Sequence, residues 1–317
     1  MTKYALCFPG QGAQKAGMGR ELCGAFPSAK DVFDEADDAL SMHLTKLIFE
    51  GPDEELTLTA NAQPAIMTVS VAALRALNKD MGVDLAPAFA AGHSLGEYTA
   101  LVAAETLSFR DAVRLVNKRG QWMQEAAPAG SGAMAAILGL DAGKIRAVCA
   151  EAAPNGECQP ANFNSPGQVV ISGVAEFVDK ASELAKKNGA LKAVRLNVSA
   201  PFHSRLMTPA ADKLKAEFEK CEWHDPKWPI VANVSAKPVT KSDEIRASLY
   251  EQTFSPVLWE DSVIYMADNG VGAFLELGPG EVLSGLIKRC RKGLTQIAAG
   301  TPETLEEMAK FLAGGAD

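Results

Sequence analysis

Ser94 stands at the centre of Gly92-His93-Ser94-Leu95-Gly96, a spacing of glycines around a serine that suits a nucleophilic hydroxyl. A serine attacks a carbonyl only where its oxygen projects past the backbone and a base can take its proton. The flanking glycines let a strand-to-helix turn tighten, and the amides that open the next helix face developing negative charge. The same pattern also suits a glycine-rich connection with a helix-capping serine. Four histidines compete for the part of base. His93 is adjacent to Ser94, and successive side chains diverge on such a turn. His43 lies in a polar helix-end segment, and His224, in Glu222-Trp223-His224-Asp225-Pro226, reads as surface loop. His203, in Ser199-Ala200-Pro201-Phe202-His203-Ser204, sits at an apolar junction ahead of a helix and follows the serine in chain order, as in α/β hydrolases. It reads either as the base or as a helix-capping residue. No Asp or Glu between Ser94 and His203 occupies an evident strand end, which weighs against a simple esterase triad.

Two further groups bear on the chemistry. Gly10-Gln11-Gly12-Ala13-Gln14 fails as a phosphate loop, because Lys15 replaces the third glycine of GxGxxG and no GK[ST] follows. The loop can instead lend a backbone N–H to an oxyanion hole, where one donor is typically worth about 10²–10³ in rate. Arg119, in Lys118-Arg119-Gly120, reads most simply as a cation facing the C-terminal end of a helix dipole.

The elements that must position these residues alternate between strand and helix. Tyr4 to Phe8 is an apolar run closed by Pro9-Gly10, a buried strand feeding a loop. A helix is expected from about Met18 to Leu40. A second, from Asn61 to Leu77, is too apolar for a surface helix and belongs at the centre of the fold. Pro87 to Ala91 gives a strand, Leu95 to Ala104 a small-residue helix, and Phe109 to Ala126 another helix. After the break at Pro128-Ala129-Gly130-Ser131-Gly132 come strand Ala133–Leu138, helix Ala142–Ala152, strands near Pro160–Asn164 and Gln168–Ser172, helix Ala175–Asn188 and strand Ala190–Val198. That βαββαβ order predicts a ferredoxin-like subdomain inserted into a larger α/β domain. A helix from about Ser204 to Cys221 and a strand Val271–Leu277, ending at Gly278-Pro279-Gly280, return the chain to that domain. The expected fold class is therefore α/β. A large α/β-hydrolase-like domain with a parallel sheet comprises residues 1–127 and 199–317, and the ferredoxin-like insertion covers 128–198.

Bulk composition excludes several function classes. Among 317 residues, 47% hydrophobic and 22% charged side chains describe an ordinary folded enzyme, not a disordered or fibrous chain. A formal charge of −8 argues against nonspecific nucleic-acid binding. The six cysteines are scattered with no CxxC pair, as expected of reduced thiols. Residues 1–9 run into a turn too soon for a signal-peptide apolar region, and no stretch approaches the roughly 20 apolar residues that span a bilayer. The expectation is a cytoplasmic monomer with no membrane contact.

Taken together, Gly10-Gln11-Gly12-Ala13-Gln14, Gly92-His93-Ser94-Leu95-Gly96-Glu97-Tyr98, Arg119-Gly120 with Met123-Gln124, Gly132-Ala133-Met134-Ala135-Ala136, Asn162-Phe163-Asn164-Ser165-Pro166-Gly167-Gln168 and Gly278-Pro279-Gly280 resemble the malonyl-CoA:acyl carrier protein transacylase family over almost the whole chain. The resemblance implies that Ser94 is acylated by malonyl-CoA and that His203 is its base. It implies that the backbone carbonyl of Gln252 holds the histidine, and that the Gln11 and Leu95 amides form the oxyanion hole. It makes Arg119 the ligand of the malonyl carboxylate, a bidentate task that suits a guanidinium. Met123, Phe202, Asn162 and Gln168 are the further substrate-binding positions it suggests, with Phe202 supporting malonyl over methylmalonyl. The implied acceptor is the phosphopantetheine thiol of acyl carrier protein, and no metal or redox cofactor is expected. The basic run Lys288, Arg289, Arg291 and Lys292 is a docking candidate for that acidic partner, or plain solvated surface. The alternative activity is a thioesterase or esterase of the same nucleophile-elbow type, with water in place of the thiol.

Overall fold

The computed structural model describes residues 2–128, 130–198 and 200–314. Ala129 and Ser199, near the two expected joints of the insertion, lie outside the described residues, as do the expected end points Met1 and Asp317. In chain order the strands are β1 (Tyr4–Phe8), β2 (Phe89–Gly92), β3 (Gly132–Leu138), β4 (Cys158–Ser165), β5 (Gln168–Val174), β6 (Lys192–Arg195), β7 (Ile230–Val231), β8 (Pro238–Val239), β9 (Val257–Leu258), β10 (Ala273–Leu277) and β11 (Thr295–Ala299).

The larger sheet runs β11-β10-β1-β2-β7-β8. Its first five strands are parallel, and β10 together with the apolar core of β1 is buried, as a sheet covered on both faces requires. The expected parallel sheet carries one antiparallel edge, where β8 turns back on β7. Only a few residues separate the two strands, too few for the crossover that a parallel pair needs. The apolar helix Thr59–Arg75 has almost every side chain buried and lies at the centre of the main core, against the helices Pro27–Leu40 and Phe109–Glu125.

The smaller sheet runs β6-β3-β5-β4-β9, antiparallel through its first four strands. Strand alternation divides its residues between two faces. Ala133, Ala135 and Ile137 pack with Val169 and Ile171 against the helices Ala142–Ala152 and Ala175–Lys187. Met134 and Val170, on the opposite face, join Met123, Phe202 and Met207. β9, which lies outside the expected insertion in sequence, adds in parallel to β4 and ties the small sheet to the rest of the chain.

Several element limits differ from the sequence expectation for physical reasons. The helix expected over 18–40 breaks at Phe26, which is extended (φ −127°, ψ 120°) because it precedes Pro27. The helix expected from Ser204 starts with a tight turn, Arg205–Met207, and becomes α-helical only at Thr208–Phe218. The strand expected over 190–198 shortens to Lys192–Arg195, an edge strand on β3; Leu196 still donates its amide to the Met134 carbonyl, and with Asn197 and Val198 it goes on to line the cavity described below. Among the described residues no helix is long and apolar enough to cross a membrane.

Candidate active site

Two parallel strand ends build the centre. β1 and β2 are in register with Phe8 opposite Gly92, so the Pro9-Gly10-Gln11 loop and the Ser94 turn leave the sheet side by side. The turn packs against β1 without room for a side chain: a Cβ on Gly96 would lie 2.0 Å from the Phe8 carbonyl oxygen. Ser94 itself has φ 52° and ψ −104°, a strained backbone for a residue with a side chain. Asn233 and Gln252 hold it there. The Ser94 amide donates to Asn233 Oδ1 at 2.7 Å, the Asn233 side-chain amide donates to the Gly92 carbonyl at 2.7 Å, and Gln252 Nε2 donates to the Ser94 carbonyl at 2.8 Å. The Ser94 side chain makes no capping bond to the helix Leu95–Ala103.

The Ser94 hydroxyl meets His203 instead, with Oγ 2.7 Å from Nε2. His203 Nδ1 lies 2.8 Å from the Gln252 backbone carbonyl. A carbonyl only accepts, so Nδ1 carries the hydrogen and Nε2 presents its lone pair to the serine. His203 is 3% exposed, and burial together with the nearby Arg119 charge pushes its pKa down to about 3, against the opposing pull of the Gln252 carbonyl. The imidazole is therefore neutral, the form that accepts a proton. His93, next to the serine, points away and bonds Asn164 Oδ1 at 2.8 Å. His43 and His224 are exposed.

Arg119 is buried well inside the helix Phe109–Glu125, so it is not a cation at a helix end. Nη1 donates to Gln63 Oε1 at 2.8 Å, and Nη2 donates to Gln252 Oε1 at 2.9 Å and to Ser94 Oγ at 3.1 Å. All three partners are neutral, and Nε has no acceptor among the described residues. The Tyr98 ring, 5.5 Å from the guanidinium carbon, adds a cation–π contact. A buried guanidinium without a carboxylate partner is costly, and it suits an anion that arrives as substrate. These groups open on a cavity of about 360 Å³ lined also by Gln11, Met123, Met134, Asn162, Phe202 and Val198. A larger cavity of about 610 Å³, between Lys15 and Thr301, contains none of them.

The acyl transferase domain pattern matches residues 6–307 of the chain. The malonyl CoA-acyl carrier protein transacylase of Bacillus subtilis (strain 168) is 53% identical over 307 residues, 96% of each chain. The chain belongs to this transacylase family. An acyl-carrier-protein-S-malonyltransferase structure from Bartonella henselae superposes with a TM-score of 0.96 at 45% identity, covering 98% of this chain and 99% of that one. A malonyl-transacylase solved in complex with a type II PKS acyl-carrier protein gives 0.94 at 44% identity, over 98% and 100% of the two chains.

Against the positions that this transacylase family suggested, the structure brings Ser94, His203, Arg119, Gln11, Met123, Asn162 and Phe202 to one cavity. The Leu95 side chain lies in the main core, and its amide opens the helix beside Ser94. Among the described residues, neither the Gln11 nor the Leu95 amide donates to a protein acceptor. Gln168 lies outside this lining. It sits at the turn end of the β4–β5 hairpin, beyond the Asn162–Val170 pairing, and accepts from Arg289 Nη1 at 2.6 Å on the surface. Sequence reasoning missed Gln63, Asn233 and Glu97. Gln63 and Asn233 carry no local signal, being single amides in unremarkable stretches; Glu97 was visible only as a letter of the serine motif.

Proposed function

We propose that the protein moves a malonyl group from malonyl-CoA to the phosphopantetheine thiol of acyl carrier protein, supplying fatty acid synthesis, through an ester on Ser94. The observation that carries this reading is Arg119, a buried cation bonded only to neutral groups, 3.1 Å from the Ser94 oxygen. A malonyl carboxylate completes its coordination while the thioester carbonyl lies over the serine. Ser94 Oγ then attacks that carbonyl carbon as its proton passes to His203 Nε2, and the oxyanion rests on the Gln11 and Leu95 amides. The carbon–sulfur bond breaks, and the CoA thiolate takes the proton from His203. The carrier thiol reverses these steps, giving up its proton to His203 and taking the malonyl group. Nothing in this route changes oxidation state, and no metal or other cofactor takes part.

The finer architecture follows the same reading. The β6-β3-β5-β4 order, with two helices on one face, supports a ferredoxin-like insertion over 128–198 in an α/β-hydrolase-like domain formed by 1–127 and 199–317. The six cysteines are unpaired, as in a cytoplasmic monomer. Lys288, Arg289, Arg291 and Lys292 lie at and just beyond the end of the helix Val282–Cys290 and form the docking patch for the carrier. The hydrolytic alternative is not favoured by relatives named as transacylases, and the imidazole lacks the carboxylate of a hydrolase triad. Ser94→Ala tests the proposal: incubation with malonyl-CoA should give a malonyl adduct on the unaltered chain and none on the variant. An intact mass spectrum showing equal adduct on both would overturn it.

A further inference from the structure

Two full charges face each other across one amide in the wall of this cavity. Arg119 lies on one side of the Gln252 side chain and Glu97, 1% exposed, on the other. Gln252 Oε1 accepts from Arg119 Nη2 at 2.9 Å, and Gln252 Nε2 donates to Glu97 Oε2 at 3.0 Å. The cation and the anion together fix which way round the amide sits, since a flipped Gln252 would set donor against donor and acceptor against acceptor. The Asn233 backbone amide also donates to Glu97 Oε2, at 3.0 Å. Both bonds land on the same oxygen, so a proton on Oε1 would leave them in place.

The charge count of the site changes when substrate enters. With Glu97 ionised, the empty pocket holds one positive and one negative group, and a malonyl carboxylate on Arg119 leaves it with a net negative charge away from water. Such a pocket is costly unless one carboxylate becomes neutral. The malonyl group is held on the cation; Glu97 is one amide further away. We propose, on the malonyl-transfer reading above, that Glu97 is a positioning residue that supplies the counter-charge of the empty pocket and takes up a proton on Oε1 when a malonyl carboxylate docks on Arg119.

The groups facing Glu97 agree with this. Arg119, from the helix Phe109–Glu125, and Tyr98, from Glu97's own helix, are the ionisable neighbours; Asn233 and Gln252 face it as neutral amides, with His203 behind the Gln252 backbone. Burial raises the Glu97 pKa to about 7, against the pull of the Gln252, Asn233 and Arg119 interactions. Substrate carboxylate on Arg119 cancels part of that pull and raises it further.

The test uses the whole protein with malonyl-CoA. Repulsion between two carboxylates about either side of one guanidinium predicts that kcat/KM for malonyl-CoA falls about tenfold between pH 6 and 8.5. The fall should lie in KM and disappear in Glu97→Gln. A second measurement needs no variant: acylation at pH 7.5 in weak buffer with an indicator dye, counted against adduct mass. The departing CoA thiol is mostly protonated below a pKa of about 8.5, so net uptake of roughly half to one proton per adduct must come from the protein. Full adduct without proton uptake overturns the exchange while leaving malonyl transfer intact. No adduct at all overturns malonyl transfer and the exchange with it.

Discussion

Removing Arg119 is the substitution whose consequences the structure defines most fully. Its guanidinium lies in the buried wall of the cavity with three hydrogen bonds to neutral oxygens, so Arg119→Ala deletes the one Lys or Arg that lines the cavity among the described residues. Truncating one partner of a buried, hydrogen-bonded charge pair costs about 2–5 kcal/mol. Taking the middle of that range, malonyl loses roughly 10²–10³ in kcat/KM, at about 1.4 kcal/mol per tenfold. An acetyl group has no carboxylate to lose, so its acylation should change by only a few-fold, through the missing Arg119–Ser94 contact. Arg119→Lys, which keeps the charge but not the planar fork, should fall between the two. The fold has reason to survive. The variant leaves the Gln63 and Gln252 oxygens short of a donor, but no carboxylate bonds the guanidinium directly, and Glu97, left without its counter-charge, is free to take up a proton. The assay is competition between malonyl-CoA and acetyl-CoA for Ser94, read as the ratio of adduct masses with time. A ratio in Arg119→Ala equal to that of the unaltered chain would refute the reasoning, whatever the absolute rate.

Three other outcomes follow from the same geometry. With the His203 pKa pushed down to about 3, the proton-accepting form is present throughout the range above that value, so kcat/KM should show no acid limb near pH 6.5 and should begin to fall only well below pH 5; a half-maximal point at 6.5 would show that the imidazole is not as dry as its burial implies. Gly96→Ala would press a Cβ to 2.0 Å from the Phe8 carbonyl oxygen, where neither backbone can yield, and should destabilise the chain by more than about 3 kcal/mol, read as a shift of the urea midpoint with unchanged slope. Phe202→Ser would empty part of the wall shared with Met123 and Met134, and should let a methylmalonyl adduct accumulate on Ser94 where the unaltered chain gives malonyl alone.

How far the sequence foretold this arrangement depends on the range of each interaction. Ser94 was legible because its chemistry is local: the glycines, the turn and the helix opening are all within a few residues. The strands of the small sheet were legible as alternating runs that each need a partner, whereas the addition of β9 was not. Arg119 misled on its own residues: the helix was expected to run on to Ala126 and does reach Glu125, but nothing local marks which of its side chains is buried in a cavity wall. Gln252 could be reached only by resemblance. It works through its backbone carbonyl as well as its side chain, and a carbonyl has no residue type. Asn233 and Gln63 act across sequence separations of 139 and 56 residues, and nothing short-range marks an amide that will end up beside a charge. Residues close in a motif also part company at a hairpin: Asn162 stays by the cavity, while Gln168 is carried to the turn end.

The partner of His203 also bears on why a malonyl ester should outlast water. In a hydrolase triad a carboxylate stabilises the imidazolium that forms when the nucleophile loses its proton. Here a neutral carbonyl takes that place, and the Arg119 cation lies near enough to oppose a second positive charge. Both effects make His203 a weak base. A weak base discriminates by acidity: a thiol with a pKa of about 8.5 yields its proton far more readily than water at about 15.7. The carrier thiol can therefore be activated where water is not, and the same wall that holds the malonyl carboxylate slows hydrolysis of its ester. Converting the Gln252 carbonyl into a carboxylate is not possible by substitution, but Arg119→Ala removes the opposing cation. In that variant the His203 pKa should rise, and an acetyl ester on Ser94 should lose its acyl group to water faster than in the unaltered chain. Equal lifetimes would show that exclusion of water, and not the weakness of the base, preserves the ester.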